Sequence, residues 1–564
     1  MSSRKSKSKA PRKAGADGAT LTDSRQGAAD AVAAVEVPGA IPAEGGINVI
    51  AALARQPSVS RSLLIWLAAV AFCVAWQPFE LGFYMDDWGA AAAAARQGAP
   101  FSRARFEWIL NIDPSRPVSA ILRFVCSSLL ADRPVLWQAA LLVANLSLML
   151  LLARLIRTAG LESPTATRPV AVAVASAWLL MPWSAGFRFW PVLLNVHLLL
   201  LAFAWMVGYV TERWRTRRAP LLVPGVLYLL LCLGYEALYL QFVPLILLGL
   251  CFVIAGRARM RDVLRTGAGL VTAQGLAVAW YMVSKHLTGA QKPISPAWQE
   301  VLTRNLQRII PEMLRSLHEV AVVFVVCASA AALLCVYPWL RSLISREQKT
   351  GAGYVLLATA SCLAGGLLSI AAFSFGERPL LGLGVETRAF TLFSFWLVLA
   401  VGIQANYARA RLGRFGSVAL TVAGLGLGLA LSAAHLVRLN DWATAWRLQQ
   451  KFLAEAPVER IAATEKRALI LTVLPIDVNG APVFAAPWDL SHALPLTHPR
   501  VRGREFMIYS KWGGPLTWDG KQLSYAGGQP RTVEVLYIWK PEWREFYRAV
   551  QPLQVNQDLT VVPR

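Results

Sequence analysis

The sequence predicts an α-helical polytopic membrane protein of about eleven transmembrane helices, followed by a small C-terminal domain of β or mixed α/β type. Three observations predict this class. The 564 residues are 56% hydrophobic and only 16% charged, which is more apolar than a typical soluble domain. Apolar segments of spanning length recur between residues 62 and 437, and short basic loops separate many of them. The last part of the chain is more hydrophilic and contains Gly- and Pro-rich turns.

The chain begins with a hydrophilic segment. Residues 1–60 are rich in Ala, Gly, Ser, Pro, Lys and Arg and contain no aromatic residue, so they cannot bury enough apolar surface to offset the entropy of ordering. We expect a disordered, basic cytoplasmic tail. The apolar run from Ser62 to Phe79 could mimic a signal peptide, but the region before it is too long and no small-x-small cleavage site follows. We therefore expect an uncleaved first transmembrane helix.

Ten further apolar segments follow, each close to the roughly 17 to 25 residues that a bilayer requires. They lie near 134–153, 169–187, 190–210, 219–235, 237–256, 266–284, 319–337, 352–373, 389–408 and 417–437. The short, strongly basic loops are Arg154–Arg168, Glu212–Arg218, Arg257–Arg265, Pro338–Lys349 and Arg409–Arg414. They alternate along the chain, so they fall on one side. Because basic loops remain in the cytoplasm, these loops and the tail define the cytoplasmic face.

The odd number of predicted spans places the chain after Val437 on the opposite, extracytoplasmic face. The predicted loops on that face are 80–133, 285–318 and 374–388. We therefore expect a transmembrane domain over residues 61–437 and an extracytoplasmic soluble domain over residues 438–564. The predicted location is the inner (plasma) membrane, with a cytoplasmic N-terminus.

The net charge of +23 could indicate binding to nucleic acid. The basic residues, however, fall largely in short loops between apolar segments rather than on one soluble face, so we expect no nucleic-acid partner. The six histidines show no metal-ligand spacing, and the seven cysteines show neither zinc spacing nor a disulfide framework.

The longer outer loops are predicted to be helical. In loop 80–133, Asp87 resembles an N-cap in front of the run Ala90–Ala95, and Pro117 is typical of the first position of a second helix. Residues 297–318 have apolar side chains at helical spacing with arginines elsewhere, which suits a helix lying in the membrane interface. In the outer domain, the predicted strands are Leu469–Pro475, Phe506–Tyr509, Thr532–Trp539 and Leu559–Val562.

The most informative feature is the acidic pair Asp86 and Asp87, which follows the first apolar segment on the predicted outer face. The same face is predicted to hold Arg188, Glu236, Lys285, Glu377, Arg378, Glu386 and Arg388. A carboxylate can accept a proton from an acceptor hydroxyl, and an arginine can hold a phosphate and stabilise the charge that develops on it as it leaves. Together these residue types suggest a reaction that involves phosphate.

The layout resembles the C-type (GT-C) superfamily of integral membrane glycosyltransferases. The residues that carry the resemblance are Met85-Asp86-Asp87-Trp88 after the first span and Ser115-Arg116-Pro117-Val118-Ser119 at the end of the helical loop, together with the number of spans and the outer C-terminal domain. Such enzymes use sugars carried on polyprenyl phosphate at the outer membrane face. The resemblance implies inverting transfer of a hexose or pentose to a glycan, lipid or protein acceptor of the cell envelope.

The resemblance also implies roles for particular residues. Asp86 or Asp87 would be the general base that deprotonates the acceptor hydroxyl. Arg388, at the outer start of a late span, matches the position of an arginine that binds the donor phosphate. The weaker candidates for that role are Arg378, Arg188 and Lys285. The residues expected to line the acceptor site are Glu236, Arg116 and Glu386. Two adjacent aspartates are too few ligands to predict a divalent metal, which stays open.

Simpler roles compete with these. Asp87 can act as an N-cap, which makes Asp86 the first choice for the base. Arg388 can form an ordinary ion pair with Glu386, and Arg378 can do so with Glu377. Two other functional classes also compete: a transporter or flippase of lipid or polysaccharide, and a non-enzymatic protein of envelope assembly. Paired broken helices, or ionisable residues deep within several spans, would favour a transporter, and the sequence shows few such signs.

Overall fold

The computed structural model describes residues 57–564 except 97–98, 113, 161–163, 217–221, 289–296, 345–348, 376–379, 475–476, 485–488, 510–515, 526–529, 557–559 and 564. Nearly all of the predicted tail, residues 1–60, therefore lies outside the described residues.

Helices dominate the described part of the chain. The first five are α1 (Pro57–Ala75), α2 (Gln77–Glu80), α3 (Asp86–Arg96), α4 (Arg103–Ile112) and α5 (Pro117–Leu130). The next seven are α6 (Pro134–Ala159), α7 (Pro164–Ala177), α8 (Ala185–Phe189), α9 (Leu194–Arg215), α10 (Leu222–Cys232), α11 (Phe242–Ile254) and α12 (Met260–Thr288). The last seven are α13 (Trp298–Leu317), α14 (Ala321–Ile344), α15 (Lys349–Ser374), α16 (Phe390–Arg411), α17 (Arg414–Ala454), α18 (Val458–Ala462) and α19 (Asp489–Thr497).

Eight helical stretches in the described part of the chain are long and apolar enough to cross a membrane. A ninth is added if the bent pair Pro169–Leu180 and Pro182–Phe189, whose halves meet at 61°, forms one span. The α-helical class with a β-rich C-terminal region is therefore confirmed, whereas the count of eleven spans is not. The difference arises in the segments predicted at 219–235 and 266–284.

These two segments depart from ordinary spans for different reasons. Helix α10 is about 16 Å long, roughly half the thickness of the hydrocarbon core. Helix α12 is long enough, but it includes several glycines and Gln274 and is less apolar than the eight stretches. The Gln274 side-chain oxygen lies 3.2 Å from both the Leu240 N–H and the Tyr228 hydroxyl, and it accepts a hydrogen bond from each. Gln274 therefore satisfies donors at the break between α10 and α11.

The predicted outer loops are helical, as expected. The helix predicted to begin at Pro117 is α5, and the amphipathic segment predicted at 297–318 is α13. Loop 80–133 holds three helices rather than two, because Arg103–Ile112 forms an additional one. The helix assigned to Asp87 as N-cap is α3, which begins one residue earlier, at Asp86. Asp87 thus lies inside the first turn instead of at the cap position.

The β-rich region holds three sheets. In the first, β1 (Leu469–Val473) is parallel to both β4 (Glu505–Tyr509) and β8 (Leu536–Lys540), and β9 (Glu545–Arg548) is antiparallel to β8. The second is antiparallel in the order β11 (Val561–Pro563), β10 (Leu553–Val555), β5 (Leu516–Trp518), β6 (Gln522–Tyr525) and β7 (Arg531–Thr532). The third is the hairpin of β2 (Asp477–Val478) and β3 (Ala481–Pro482). Each of the four predicted strand segments overlaps an observed strand.

Helix α17 links the bundle to the β-rich region. Its 41 residues extend about 60 Å, about twice the thickness of a hydrocarbon core, so the helix is longer than one span requires. The sequence-predicted boundary at residue 438 therefore falls within a continuous helix. Near the C-terminal end of α17, the Gln449 side chain accepts a hydrogen bond from Trp88 Nε1 (2.8 Å) and donates one to the carbonyl of Pro482 (3.3 Å).

The β2–β3 turn packs directly against the segment that precedes Arg388. Gly384 has a φ of +74°, and a Cβ at this position would lie 2.4 Å from the carbonyl oxygen of Gly480 in the turn. Only glycine fits both the conformation and the approach. The segment before Arg388 is therefore held between the helix bundle and the β-rich region.

Candidate functional site

Four charged side chains from distant parts of the chain meet around one tyrosine. Arg388 Nη2 lies 3.5 Å from Glu386 Oε1, and each of these side chains is 19% exposed. Arg116 pairs with Glu236. Burial raises the pKa of Tyr235, while the charges of Arg388 and Arg116 lower it and those of Glu236 and Glu386 raise it. We call these five residues the Tyr235 cluster.

The local sequence explains why these charges lie at the surface of the bundle. Arg116 directly precedes the proline that begins α5. Glu236 begins a short 3-10 helix after the break that ends α10. Glu386 and Arg388 lie in the 3-10 turn Val385–Ala389, which leads into α16. Each charge therefore lies at a helix start, where the chain changes direction. The sequence predicted all four as site residues, and the structure brings them together.

Arg388 also borders a narrow apolar slot between helices α9, α15 and α16. The other lining residues are Val196, Leu200, Tyr235, Ala237, Leu238, Phe373, Thr391 and Leu392. The slot has a volume of about 10 Å³, which is room for one water molecule. A hydrocarbon chain can therefore enter only when side chains such as Phe373 move aside. An arginine at the edge of an apolar slot suits a ligand with an anionic head and an apolar tail.

Trp190 connects the Tyr235 cluster to the acidic pair. The Arg388 guanidinium lies 5.3 Å from the centroid of the Trp190 ring, a cation–π arrangement. The indole N–H of Trp190 donates a hydrogen bond to the carbonyl of Tyr84 (3.0 Å), and the Val192 N–H donates one to Asp87 Oδ1 (2.6 Å). The segment from Trp190 to Val192 thus contacts Arg388 through one residue and the acidic pair through another.

The two aspartates of the pair have different surroundings. Asp87 is 3% exposed, and its second carboxylate oxygen accepts a hydrogen bond from the Tyr84 N–H (2.7 Å). Burial raises the pKa of Asp87 well above its ordinary value; the two backbone N–H groups oppose this, and the charges of Asp86 and Asp489 add to it. Asp86, in contrast, is exposed. Asp87 uses both oxygens to hold the backbone, whereas Asp86 presents its carboxylate at the surface.

Helix α19 of the β-rich region packs against α3 and adds residues that sequence reasoning missed. Asp489, fully buried at the start of α19, acts electrostatically on Asp87. His492 lies beside Gly89, and its Nδ1 is 3.4 Å from a guanidinium nitrogen of Arg96. About 400 residues separate α19 from α3 in the chain, so no local pattern could have indicated this contact.

Helix α13 holds the segment that leads to Arg388. The Leu380 N–H donates a hydrogen bond to the Asn305 side-chain oxygen (2.9 Å), and the Gly382 N–H donates one to Glu312 Oε2 (2.8 Å). The Asn305 amide also donates to the Ser374 hydroxyl (3.0 Å). Asn305 and Glu312 both lie on the buried side of α13. The helix therefore holds the backbone at Leu380 and Gly382, a few residues before Glu386 and Arg388.

Arg188, a weaker candidate for phosphate binding, is enclosed in the bundle. It is 1% exposed and lies in the second half of the bent pair. Its guanidinium donates hydrogen bonds to the carbonyl of Leu179 and to that of Met181 (2.5 Å), and it lies 3.3 Å from Nδ1 of His435. A broken helix leaves carbonyls without partners, and Arg188 satisfies them. It is not accessible to a ligand in this structure.

Two of the predicted phosphate-binding residues remain, Lys285 and Arg378. Lys285 lies in the last turn of α12, is partly buried and is not part of the Tyr235 cluster. Arg378 and its predicted partner Glu377 lie outside the described residues. Within the described ranges, the structure contains no group of three or more His, Cys, Asp or Glu side chains that could hold a metal ion.

Comparison with known proteins adds no assignment. The sequence matches no protein-family model. It also matches none of the curated proteins. The function is therefore argued from the chemistry of the site.

Proposed function

We propose that this chain is a membrane glycosyltransferase that moves a sugar from a polyprenyl-phosphate donor to a cell-envelope acceptor on the extracytoplasmic face. The observation that carries the proposal is the position of Arg388. Its guanidinium lies between the edge of an apolar slot and the segment that contacts the acidic pair. A lipid-linked phosphate needs a cation beside an apolar path, and sugar transfer needs a base near that phosphate.

The reaction assigns a role to each charged group. The acceptor hydroxyl attacks the anomeric carbon while the bond from that carbon to the phosphate oxygen breaks, so the configuration inverts. Asp86 accepts the hydroxyl proton, and polyprenyl phosphate leaves with the bonding electron pair. Arg388 stabilises the charge that grows on the phosphate. An ordinary aspartate suffices as the base, because the hydroxyl becomes acidic as its bond to carbon forms.

The remaining members of the Tyr235 cluster support this arrangement. Glu386 orients Arg388 through its ion pair, and the face of the Trp190 ring supports the guanidinium. Arg116 and Glu236 are more exposed, at 30% and 44%, and provide hydrogen-bonding groups where an acceptor approaches. Asp87 acts as a positioning residue, because its carboxylate accepts hydrogen bonds from the backbone of Tyr84 and of Val192.

Replacing Asp86 with Asn tests the proposed base. Purified protein is incubated with a panel of polyprenyl-phosphate pentoses and hexoses and with envelope glycan acceptors, and transfer of labelled sugar is measured. We expect Asp86→Asn to reduce transfer by at least about a hundredfold, the usual contribution of a general base. The matched control is Asp132→Asn, because Asp132 is an exposed aspartate of the same loop. Full transfer by Asp86→Asn would exclude this role.

One observation favours a transporter as the second candidate. The bent pair Pro169–Leu180 and Pro182–Phe189 is a broken span with a buried arginine, a combination that transporters use around a substrate. The Arg188 guanidinium, however, is bonded to the carbonyls exposed by the break. Movement of a lipid-linked sugar across liposomes by the purified protein, without covalent change, would favour the transporter over the glycosyltransferase.

A further inference from the structure

A second apolar groove lies at the other end of α9, away from the Tyr235 cluster. The slot beside Arg388 contacts α9 near Val196, whereas this groove contacts it from Trp205 to Arg213. Val196 and Tyr209 are about 20 Å apart along the helix axis. The slot and the groove are therefore distinct, and the groove can bind a ligand whether or not the Tyr235 cluster binds a sugar donor.

Helices α6 and α9 form the groove with small residues at its floor and large ones at its sides. Its lining consists of Leu151, Arg154, Leu155, Ala204, Trp205, Gly208, Tyr209, Glu212 and Arg213. Ala204 and Gly208 leave space at the floor, and the rings of Trp205 and Tyr209 stack at 5.4 Å along one side. The volume of about 200 Å³ is far more than the roughly 10 to 15 Å³ that holds one water molecule. We call it the Arg154–Arg213 groove.

The apolar surface around the groove points to an occupant that comes from a bilayer. Leu150 on α6 is 54% exposed and Trp205 on α9 is 45% exposed. Both belong to helices that are long and apolar enough to cross a membrane. Trp205 lies about two turns before Arg213, the first arginine of the basic last turn of α9.

The charges at the end of the groove favour an anionic headgroup. Arg154 is exposed and has no ion-pair partner among the described residues. The Arg213 guanidinium lies 5.1 Å from the centroid of the Tyr209 ring, a cation–π contact that places a second positive charge at this end of the groove. Glu212 is the acidic residue of the lining, and it is 3.9 Å from Arg215, which offsets its charge.

We propose that the Arg154–Arg213 groove binds one molecule of an anionic phospholipid. A segment of one acyl chain fills the space over Gly208 between Leu155 and Trp205, and the phosphate lies between the two arginines. The acyl chain and the anionic headgroup both contribute to binding. A free phosphate would leave the apolar groove empty, and a zwitterionic lipid carries its own cation beside the phosphate. Basic pockets between transmembrane helices bind anionic headgroups in this way.

Native mass spectrometry of the delipidated full-length protein tests the proposal. The protein is titrated with phosphatidylglycerol or with phosphatidylcholine of the same acyl chains, and the first bound lipid is quantified. We expect phosphatidylglycerol to bind more tightly than phosphatidylcholine. Replacing both Arg154 and Arg213 with Ala should weaken phosphatidylglycerol binding by more than about tenfold, since each basic residue contributes to attraction of an anionic lipid.

Two further variants separate the groove from general charge effects. The control Arg261→Ala/Arg265→Ala removes the same charge from exposed positions of α12, and it should bind like the wild type. Gly208→Leu places a side chain toward Leu155, whose Cδ2 would lie 3.4 Å from an added Cβ, and it should reduce first-lipid binding while leaving both arginines in place.

Three results would overturn the proposal: equal binding of the two lipids, unchanged binding after loss of both arginines, or an equal loss in the α12 control.

Inorganic phosphate is added as a competitor in a separate titration. If millimolar phosphate displaces the lipid, the site recognises phosphate alone and the assignment to a phospholipid is wrong. Arg154 and Arg213 hold no backbone in the structure, so their replacement should leave the fold intact.

Discussion

Two neighbouring segments of the bundle use an arginine in opposite ways. The segment Ala185–Phe189 encloses Arg188, whereas the turn Val385–Ala389 leaves Arg388 partly exposed. The segments touch, because the Gly186 N–H donates a hydrogen bond to the Thr387 hydroxyl (2.6 Å). The two arginines therefore differ in exposure although their segments are neighbours. The local backbone explains the difference: Arg188 donates hydrogen bonds to carbonyls at the break of the bent helix pair, whereas Arg388 pairs with Glu386 at the edge of the narrow slot and remains partly exposed.

The acidic pair shows the same division. Asp87 is buried and accepts hydrogen bonds from two backbone N–H groups, whereas the adjacent Asp86 is exposed. In each case one charged group is buried and bonded to the backbone, and the other is more exposed. The following predictions test whether this division is real, beginning with the largest expected effect.

Removal of the two arginines should have opposite consequences. Arg188→Ala leaves the carbonyls of Leu179 and Met181 without a partner inside the bundle, so we expect a loss of about 3 kcal/mol or more in the free energy of unfolding. Arg388→Ala removes a partly exposed ion pair and should cost less than about 1 kcal/mol. Detergent-induced unfolding of both variants measures the difference. Equal losses would contradict the division between the two segments.

Gly384 should be intolerant of a side chain. Gly384→Ala places a Cβ 2.4 Å from the carbonyl of Gly480 and forces a left-handed conformation, so we expect a loss of about 2 kcal/mol in the free energy of unfolding. The matched control is Gly353→Ala, because a Cβ there meets no atom within 4 Å and alanine favours the helix. If both variants had the same stability, the β2–β3 turn would not hold the segment before Arg388.

The pH dependence of stability should identify Asp87 as the buried member of its pair. Because its pKa is raised in the folded state, protonation stabilises the fold. This contribution is fully present below the ordinary aspartate pKa of about 3.9 and is lost as the pH rises through the raised value. We expect the stability of the wild type relative to Asp87→Asn to fall as the pH rises above about 4. Unfolding measured across this range checks it, and a constant or rising difference would contradict it.

Much of the fold could be predicted because membrane helices leave a strong local pattern. The apolar segments, the start of α5 at Pro117 and the amphipathic α13 all follow from residues close together in the chain. The count of spans could not be predicted, because the breaks before Tyr235 and after Leu180 depend on distant side chains. Gln274 supports the first break and Arg188 the second.

The candidate site was predictable in its charged residues but not in their surroundings. Arg116, Glu236, Glu386 and Arg388 were all expected near the outer face, and they do form one cluster. The contacts of Trp190 with Arg388 and Tyr84 were not expected, and neither was the hydrogen bond between Asn305 and Leu380. An aromatic residue or an amide within apolar sequence is most often a packing residue. Arg188 showed no local sign of burial that distinguished it from Arg388.

If Arg388 holds the phosphate of a lipid-linked donor at the slot, photo-crosslinking should detect the donor there. A polyprenyl phosphate with a photoreactive group near the phosphate is incubated with the protein, and the labelled peptides are mapped. We predict labelling near Val196, Phe373 and Leu392, with at least about tenfold less in Arg388→Ala and no loss in Arg133→Ala, an exposed arginine outside the slot. Labelling confined to other helices, or unchanged in Arg388→Ala, would contradict the account.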